Sequence, residues 1–428
     1  MSMSRRDVAR NRVWPRRLGA VVSAAAIAGS MLVAVAANAM PAGAARASGT
    51  PIAIADLCSC TGIESSSSVL TTPTNQAWVS WVNAHGGIAG HPVTLFYADD
   101  QTNPAVATSD IARFIQSDHV AAIIDNSQED AAWISAAVSA GVPVIGGVNS
   151  VLGYTNPDVF PSGSTLNYGI AGEDAGAAKA GIKTEAIFYC VEAASCKQIT
   201  DLAGKVGQQF GIKVVYTSGI SFTAPTYAAQ CVAAKATGAQ SLETADANIV
   251  VEKAADNCAT QGWSPVEVTA TSEIGSGMAT DPTFKTMVAS MNNIPWVVHN
   301  AATKVMYAAL DTYQPSVETS PNFGEQVVLE WANLVLWQDA ITAAAPAKSA
   351  KVTAAVVKKG LYHLPAGDNL GGLAAQPIHF TKGVPANFNC WYYMGTKNGK
   401  FVWSNDHKPI CAPLMKPGTA EGGPVLKG

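Results

Sequence analysis

The sequence predicts an α/β protein made of doubly wound parallel sheets in two lobes. Three observations carry this. Short apolar runs alternate with longer Ala-rich amphipathic stretches, the pattern of strands buried on both faces and joined by helices. The chain has 428 residues and is 48% hydrophobic, which at ~150 residues per domain suits two or three domains with sizeable cores. Two sets of βα units precede residue 300 and a helix-plus-strand return follows it, which points to two lobes rather than one sheet.

Taken in order, the chain opens with Arg5, Arg6, Arg10, Arg12, Arg16 and Arg17 against Asp7, then an apolar run over 18–37 and the small triplet Ala37-Asn38-Ala39. This reads as an export signal over 1–39, cut after Ala39, with Ala44 and Ala47 as alternatives and an uncleaved anchor as the other reading. The pairs Arg5-Arg6 and Arg16-Arg17 leave twin-arginine export open. No lipidation cysteine follows closely, since Cys58 lies well downstream. The expected location is extracytoplasmic. Residues 40–50 read as a linker.

Strands are expected at 52–55, 93–97, 120–124, 142–145, 186–189, 213–216, 266–270 and 295–298. Helices fall between them at 74–84, 104–116, 131–140, 200–210, 226–235 and 248–260, with a long one at 323–345. Thr72-Pro73 offers an N-cap hydroxyl and a first-turn proline, and His85-Gly86-Gly87 ends that helix. Aromatic-rich strands are expected at 378–381, 390–395 and 401–403, the last two joined by an Asn398-Gly399 turn. Residues 413–428 read as a flexible tail.

Charge narrows the function. Charged residues are 14% of the chain and the net charge is −4. Six of the 27 basic and one of the 31 acidic residues lie in the first 39, which leaves 21 against 30, a net −9. That balance speaks against nucleic acid as a partner. Beyond the signal only Arg46 and Arg113 remain, so a site of several guanidinium clamps on phosphate is not available. All 8 cysteines follow the signal, an even number in a compartment that permits disulfides. Spacing pairs Cys190 with Cys196, Cys231 with Cys258 and Cys390 with Cys411. Cys58 and Cys60 are left over, to pair elsewhere or stay free, because a Cys-x-Cys ring is tight. Without a Cys-x-x-Cys, and with the 7 histidines scattered singly, no zinc site is expected and no cofactor either.

Catalytic motifs are missing: there is no Gly-x-Ser-x-Gly elbow, phosphate loop or Gly-x-Gly-x-x-Gly fingerprint. Asp99-Asp100 reads as structural, since neighbours on a strand point oppositely. Polar residues gather instead where strands end: Cys58 to Ser68, Asp125-Asn126-Ser127-Gln128, and Gly146-Gly147-Val148-Asn149-Ser150. Hydroxyls, amides and free N–H groups at helix starts bind polar groups without arginine. The matching ends later in the chain are Ala193-Ala194-Ser195, Thr244 to Asn248, and Thr271-Ser272-Glu273, where Glu273 suits a ligand ammonium. Trp78, Trp81 and Trp133 sit at helical positions and read as core. Ligands of open α/β sheets bind beyond the carboxyl ends of strands, so the natural site is a cleft between the lobes.

The stretch from Trp81 through Asn83-Ala84-His85-Gly86-Gly87 to His91-Pro92-Val93, then Tyr97-Ala98-Asp99-Asp100-Gln101-Thr102-Asn103-Pro104 and a helix with Arg113, resembles the extracytoplasmic solute-binding proteins of ABC transporters. The similarity is to the branched-chain amino acid (leucine/isoleucine/valine-binding) family of type I periplasmic binding proteins. It implies two Rossmann-like lobes, 51–162 with 301–384 and 163–300 with 385–412, joined by a three-strand hinge near 160–169, 291–300 and 383–387. It implies ligand contacts at Ser66 and Ser67, at Ser127 and Gln128, and at Val148 and Ser150. In the second lobe it implies Ala194 or Ser195, Ala247 beside Asn248, and Glu273 for an α-amino group. The family's aromatic contacts are replaced by small residues here, which implies a ligand of different shape. The implied function is capture of a small solute, amino acid-like or a small organic acid, by a non-enzymatic monomer that delivers it to a membrane permease. A sensor feeding a receptor kinase or regulator, or a binder of an aromatic or hydrophobic solute, is the alternative.

Overall fold

The computed structural model describes residues 47–419 except 64, 148–149, 193, 271–272, 404–407 and 417. The expected signal over 1–39 therefore lies outside the described residues, as do Val148 and the chain beyond 419.

The first sheet is made from β1 (Ile52–Cys58), β2 (Val93–Asp99), β3 (Ile123–Asn126), β4 (Val144–Gly146) and β5 (Val159–Phe160), all parallel and ordered β2-β1-β3-β4-β5. Between these strands run α1 (Ser65–Ser68), α2 (Thr71–Ala84), α3 (Pro104–Gln116), α4 (Asp130–Ser139) and α5 (Leu152–Thr155). The strands alternate their buried side chains between two covers. Ala55, Leu57 and Ile123 pack with Phe114, Trp133 and Ile134 of α3 and α4. Ile52, Ile54 and Ile124 pack with Trp78 of α2 and with Trp331 and Trp337 from much later in the chain. α3 begins where expected because Asn103 Oδ1 accepts from Ala105 N and Val106 N ahead of Pro104. Thr72 is not a cap: α2 starts at Thr71, and Thr72 Oγ1 donates to Asp56 Oδ2 at 3.0 Å.

The second sheet repeats this winding. Helices α6 (Leu166–Lys179), α7 (Ala194–Gly207), α8 (Ala228–Ala236) and α9 (Asn248–Thr260) alternate with β6 (Thr184–Cys190), β7 (Lys213–Ile220), β8 (Ser241–Ala245), β9 (Val266–Ala270) and β10 (Met287–Met291). The chain then returns through α10 (Ala301–Tyr313), α11 (Glu325–Ala344) and α12 (Ala354–Leu361) before β11 (Cys390–Lys397), β12 (Lys400–Trp403) and β13 (Ile410–Cys411). Among the described residues the order is β12-β11-β10-β9-β8-β6-β7, with β13 paired to β11. The β6–β10 part is parallel, and β11 and β12 extend it antiparallel. Asn398 and Gly399 turn between them with φ of 54° and 71°, the left-handed pair a tight hairpin needs.

Four further expectations need correction. Residues 295–298 form a turn, not a strand, with Val298 N bonded to Pro295 O, and the neighbouring strand is β10. Residues 378–381 are not a strand: Phe380 stacks edge-on against Phe160 and Phe388 instead. Trp296 and Ile378 are buried all the same, so each run owes its apolar residues to packing rather than to strand pairing. Cys58 and Cys60, left over in the spacing argument, are bonded to each other, while the three expected disulfides are in place. Part of the expected tail packs down: Met415 is buried, and Asn167 Nδ2 donates to Thr419 O at 3.0 Å.

α6 lies close on β10 because glycines face it. A Cβ on Gly172 would stand 2.3 Å from Ser290 Oγ, and one on Gly176 would stand 2.4 Å from Val288 Cγ1. Gly176→Val is therefore expected to lose about 1–3 kcal/mol through overpacking, read by urea denaturation. An unchanged midpoint would show that α6 can lift without cost.

The three crossings between sheets are laced to one another. Asn292 Nδ2 donates to Ser164 O at 2.8 Å, and Asn293 Nδ2 donates to Ser162 O at 3.0 Å. Thr165 N donates to Phe388 O at 3.2 Å, so all three segments share one backbone network.

Candidate functional site

In each lobe the winding reverses direction between the first strand and the third, β1/β3 and β6/β8. Loops leaving such a switch point diverge and open a crevice at the carboxyl ends of the strands. In the first lobe that crevice is a polar pocket of about 490 Å³, its open mouth included. It is lined by Ser68, Asp125 to Gln128, Asp130, Gly147 and Ser150 from the strand tips, and by Gln326, Leu329 and Asn333 of α11. Gly146 and Gly147 (φ 115° and 69°) let the chain turn away from β4 beneath it.

Carboxylates organise the pocket. Buried Asp100 accepts from Ser59 Oγ at 2.8 Å, Ser127 Oγ at 2.5 Å and Thr102 N at 2.8 Å. Ser127 Oγ in turn accepts from Glu129 N at 3.0 Å, and Ser59 Oγ from Gln128 N at 2.9 Å. Asp56 accepts from Asn126 Nδ2 at 3.0 Å. The Ser150 hydroxyl bonds to Asp130 and accepts from Leu152 N at 3.1 Å. Asp125 takes only Ser127 N, at 3.3 Å on Oδ1. Burial holds the Asp125 carboxyl well above its ordinary range, and the neighbouring Asp130, Asp100 and Glu330 push the same way. Burial likewise lifts Asp130 to about 6 and raises Asp100.

Of the residues singled out in the sequence, Ser127, Gln128 and Ser150 line this pocket. Ser67 is buried on α1 beside it, and the Ser66 hydroxyl is buried with no partner among the described residues. The hydroxyl hydrogens of Ser127 and Ser150, two of the ligand contacts that the resemblance implies, point to Asp100 and Asp130. Asp125, Asp130, Gln326 and Asn333 were not singled out. Asp125 stands in the quoted strand-end motif, but the two α11 residues have no local signal.

In the second lobe, Ala194 and Ser195 fall in the first turn of α7, and Ala247 caps α9 with its N–H on Asp246 Oδ1 at 2.7 Å. Asn248 is buried beside it. Glu273 folds back on its own strand, accepting on Oε2 from Thr269 Oγ1 and Ala270 N, both at 2.9 Å, and burial lifts it to about 7. These residues do not line the first-lobe pocket. The lobes meet next to them: α1 abuts α9, Gly275 bridges Gly324, and Ser276 N donates to Phe323 O at 3.1 Å.

Glu273, itself half-buried, lies beside a buried acidic layer. Glu185 and Glu243 sit on one face of the sheet against Glu173 and Asp174 of α6. Burial, then mutual repulsion, keeps Glu173, Asp174 and Glu243 well above the usual carboxylate range, and burial raises Glu185 to about 7. Among the described residues no cluster of His, Cys, Asp or Glu is placed to hold a metal ion, and no helix is long and apolar enough to cross a membrane.

Solved structures with this architecture include an ABC transporter substrate binding protein of Aeropyrum pernix (16% identity, 85% of this chain and 97% of that chain, TM-score 0.73). A fatty acid ABC transporter substrate-binding protein of Thermomonospora curvata matches at 15% identity over 86% and 95%, TM-score 0.68. A leucine binding protein of Thermotoga maritima matches at 14% over 84% and 99%, TM-score 0.65. No curated protein matches in sequence. The two lobes have the type I periplasmic binding protein fold. A family model described as periplasmic binding protein matches residues 51–392, and the chain belongs to that family.

Proposed function

We propose that the protein is the extracytoplasmic substrate-binding component of an ABC importer, capturing one small solute between its lobes and delivering it unaltered to a membrane permease. The observation that carries this reading is the pair of matching sheets, the first with a polar pocket at the carboxyl ends of its strands, joined by three laced crossings as the hinge. Lobe one comprises 51–162 and 301–384, lobe two 163–300 and 385–412. Ser66, Ser67, Ser127, Gln128 and Ser150 approach the solute from one side, Asn248 and Glu273 from the other. A solute closes the lobes to the extent that it binds the closed state better, and closure presents a joint surface to the permease. The names of the structural neighbours, which include a leucine binder and a fatty acid transporter component, support solute capture and leave the solute open. Screening a broad metabolite library by thermal shift, with X-ray scattering on each hit, should give raised melting temperatures and a smaller radius of gyration. A library that moves neither quantity would refute the reading.

A further inference from the structure

We infer that the solute presents an organic cation, an ammonium or guanidinium, to Asp125 and Asp130 at the first-lobe strand tips rather than a carboxylate to Ser127 and Ser150. This rests on the solute-binding reading and specifies the solute's charge. Three observations carry it.

The pocket has acceptors and no cation. Asp125 and Asp130 are only 8% and 5% exposed yet line the cavity, and among the described residues Asp125 Oδ2 has no hydrogen-bond partner. Gln326 Oε1, buried at the same wall, is also without one. A carboxylate removed from water without a partner is costly, and a cation entering the pocket relieves that cost.

The donors that would hold an anion are committed elsewhere. Ser59, Ser127 and Ser150 direct their hydroxyls to Asp100 or Asp130, and Asn126 directs its amide to Asp56. An incoming carboxylate would meet Asp125 and Asp130 with no compensating positive charge, since neither Lys nor Arg lines the pocket.

The rest of the cleft wall has the same sign. Among the described residues, the segments 59–68, 100–103, 126–130, 147–151, 191–195, 246–248 and 271–276, which follow seven of the strands, contain no Lys or Arg, whereas they hold Asp100, Glu129, Asp130, Glu192, Asp246 and Glu273. Such a cleft repels anions as they approach and concentrates cations.

The test is calorimetric titration of the purified protein with putrescine, agmatine and choline, and in parallel with benzoate, octanoate and leucine. At least one of the first three should bind, and Asp125→Asn should weaken that binding tenfold or more while leaving the melting temperature of the free protein unchanged or higher. The rise would follow from removing a buried carboxyl among like charges, and it separates lost recognition from lost folding. Binding of benzoate or octanoate with no response to the three cations would overturn the inference and leave solute capture standing. Wild-type cation affinity in Asp125→Asn would also overturn it. Silence from all six, together with silence from the broad library, would sink both.

Discussion

Stability is expected to fall steadily as pH rises from about 4.5 to 7. Glu185, 2% exposed, and Glu273 are both raised to about 7 by burial, from ordinary values near 4.5. Glu173, Asp174 and Glu243 are displaced in the same direction. In that window the folded chain holds protons that the unfolded chain has released, so the derivative of unfolding free energy with pH is negative. The contribution is complete below the unfolded value and is lost as pH passes the folded one. Each proton so held is worth about 1.4 kcal/mol per pH unit, and Glu185 alone accounts for on the order of 3 kcal/mol across the window. Among the described residues the ion pair of Lys197 with Asp201 is exposed on both sides, the kind that contributes little to stability. Urea denaturation at pH 5 and pH 7.5 measures the difference, and Glu185→Gln should flatten the slope and stabilise the protein at the higher pH. A stability maximum near neutrality would contradict this account.

Gly324→Val should hold the lobes apart. A Cβ at Gly324 would stand 2.4 Å from Ile274 O, a backbone atom that cannot rotate away. Relief requires breaking the Gly275–Gly324 bridge and the bond from Ser276 N to Phe323 O. Overpacking of this kind costs about 1–3 kcal/mol and falls on the closed form alone. Apparent affinity scales with the closed fraction, so binding of whichever library compound the wild type takes should weaken about 5- to 150-fold. The radius of gyration of the free protein should rise in X-ray scattering. Unchanged affinity and radius together would show that this clasp is not what joins the lobes.

The fold was legible where burial and polarity agree. Helices 104–116 and 248–260 have the expected limits, the first fixed by Asn103 and Pro104. β8 went unread because Ser241, Glu243 and Thr244 are buried polar residues inside a strand, without an apolar run to mark them. The crossing at 295–298 misled for the opposite reason: Trp296 is buried against Phe401, and tertiary packing can favour an apolar run that is not a strand. At the site, the strand-end segments were recognisable, since loops with hydroxyls and glycines end apolar strands. What their hydroxyls bond to was not, because Asp100 and Ser127 are brought together by the sheet and not by the chain. Gln326 and Asn333 come from a helix 200 residues later and leave no trace in the motif they complete.

The cover of the first sheet has a consequence for the order of assembly. Trp78 packs on Trp337, with ring centroids 6.0 Å apart, so the face of β1–β5 that α2 begins to cover is completed by α11, which follows the entire β6–β10 set. Ring closure over so many residues is slow, whereas β6 to β10 and their helices pair within a contiguous stretch. The half that leaves the ribosome first is thus the half that finishes last, waiting with the apolar outer side of α2 uncovered until α11 arrives.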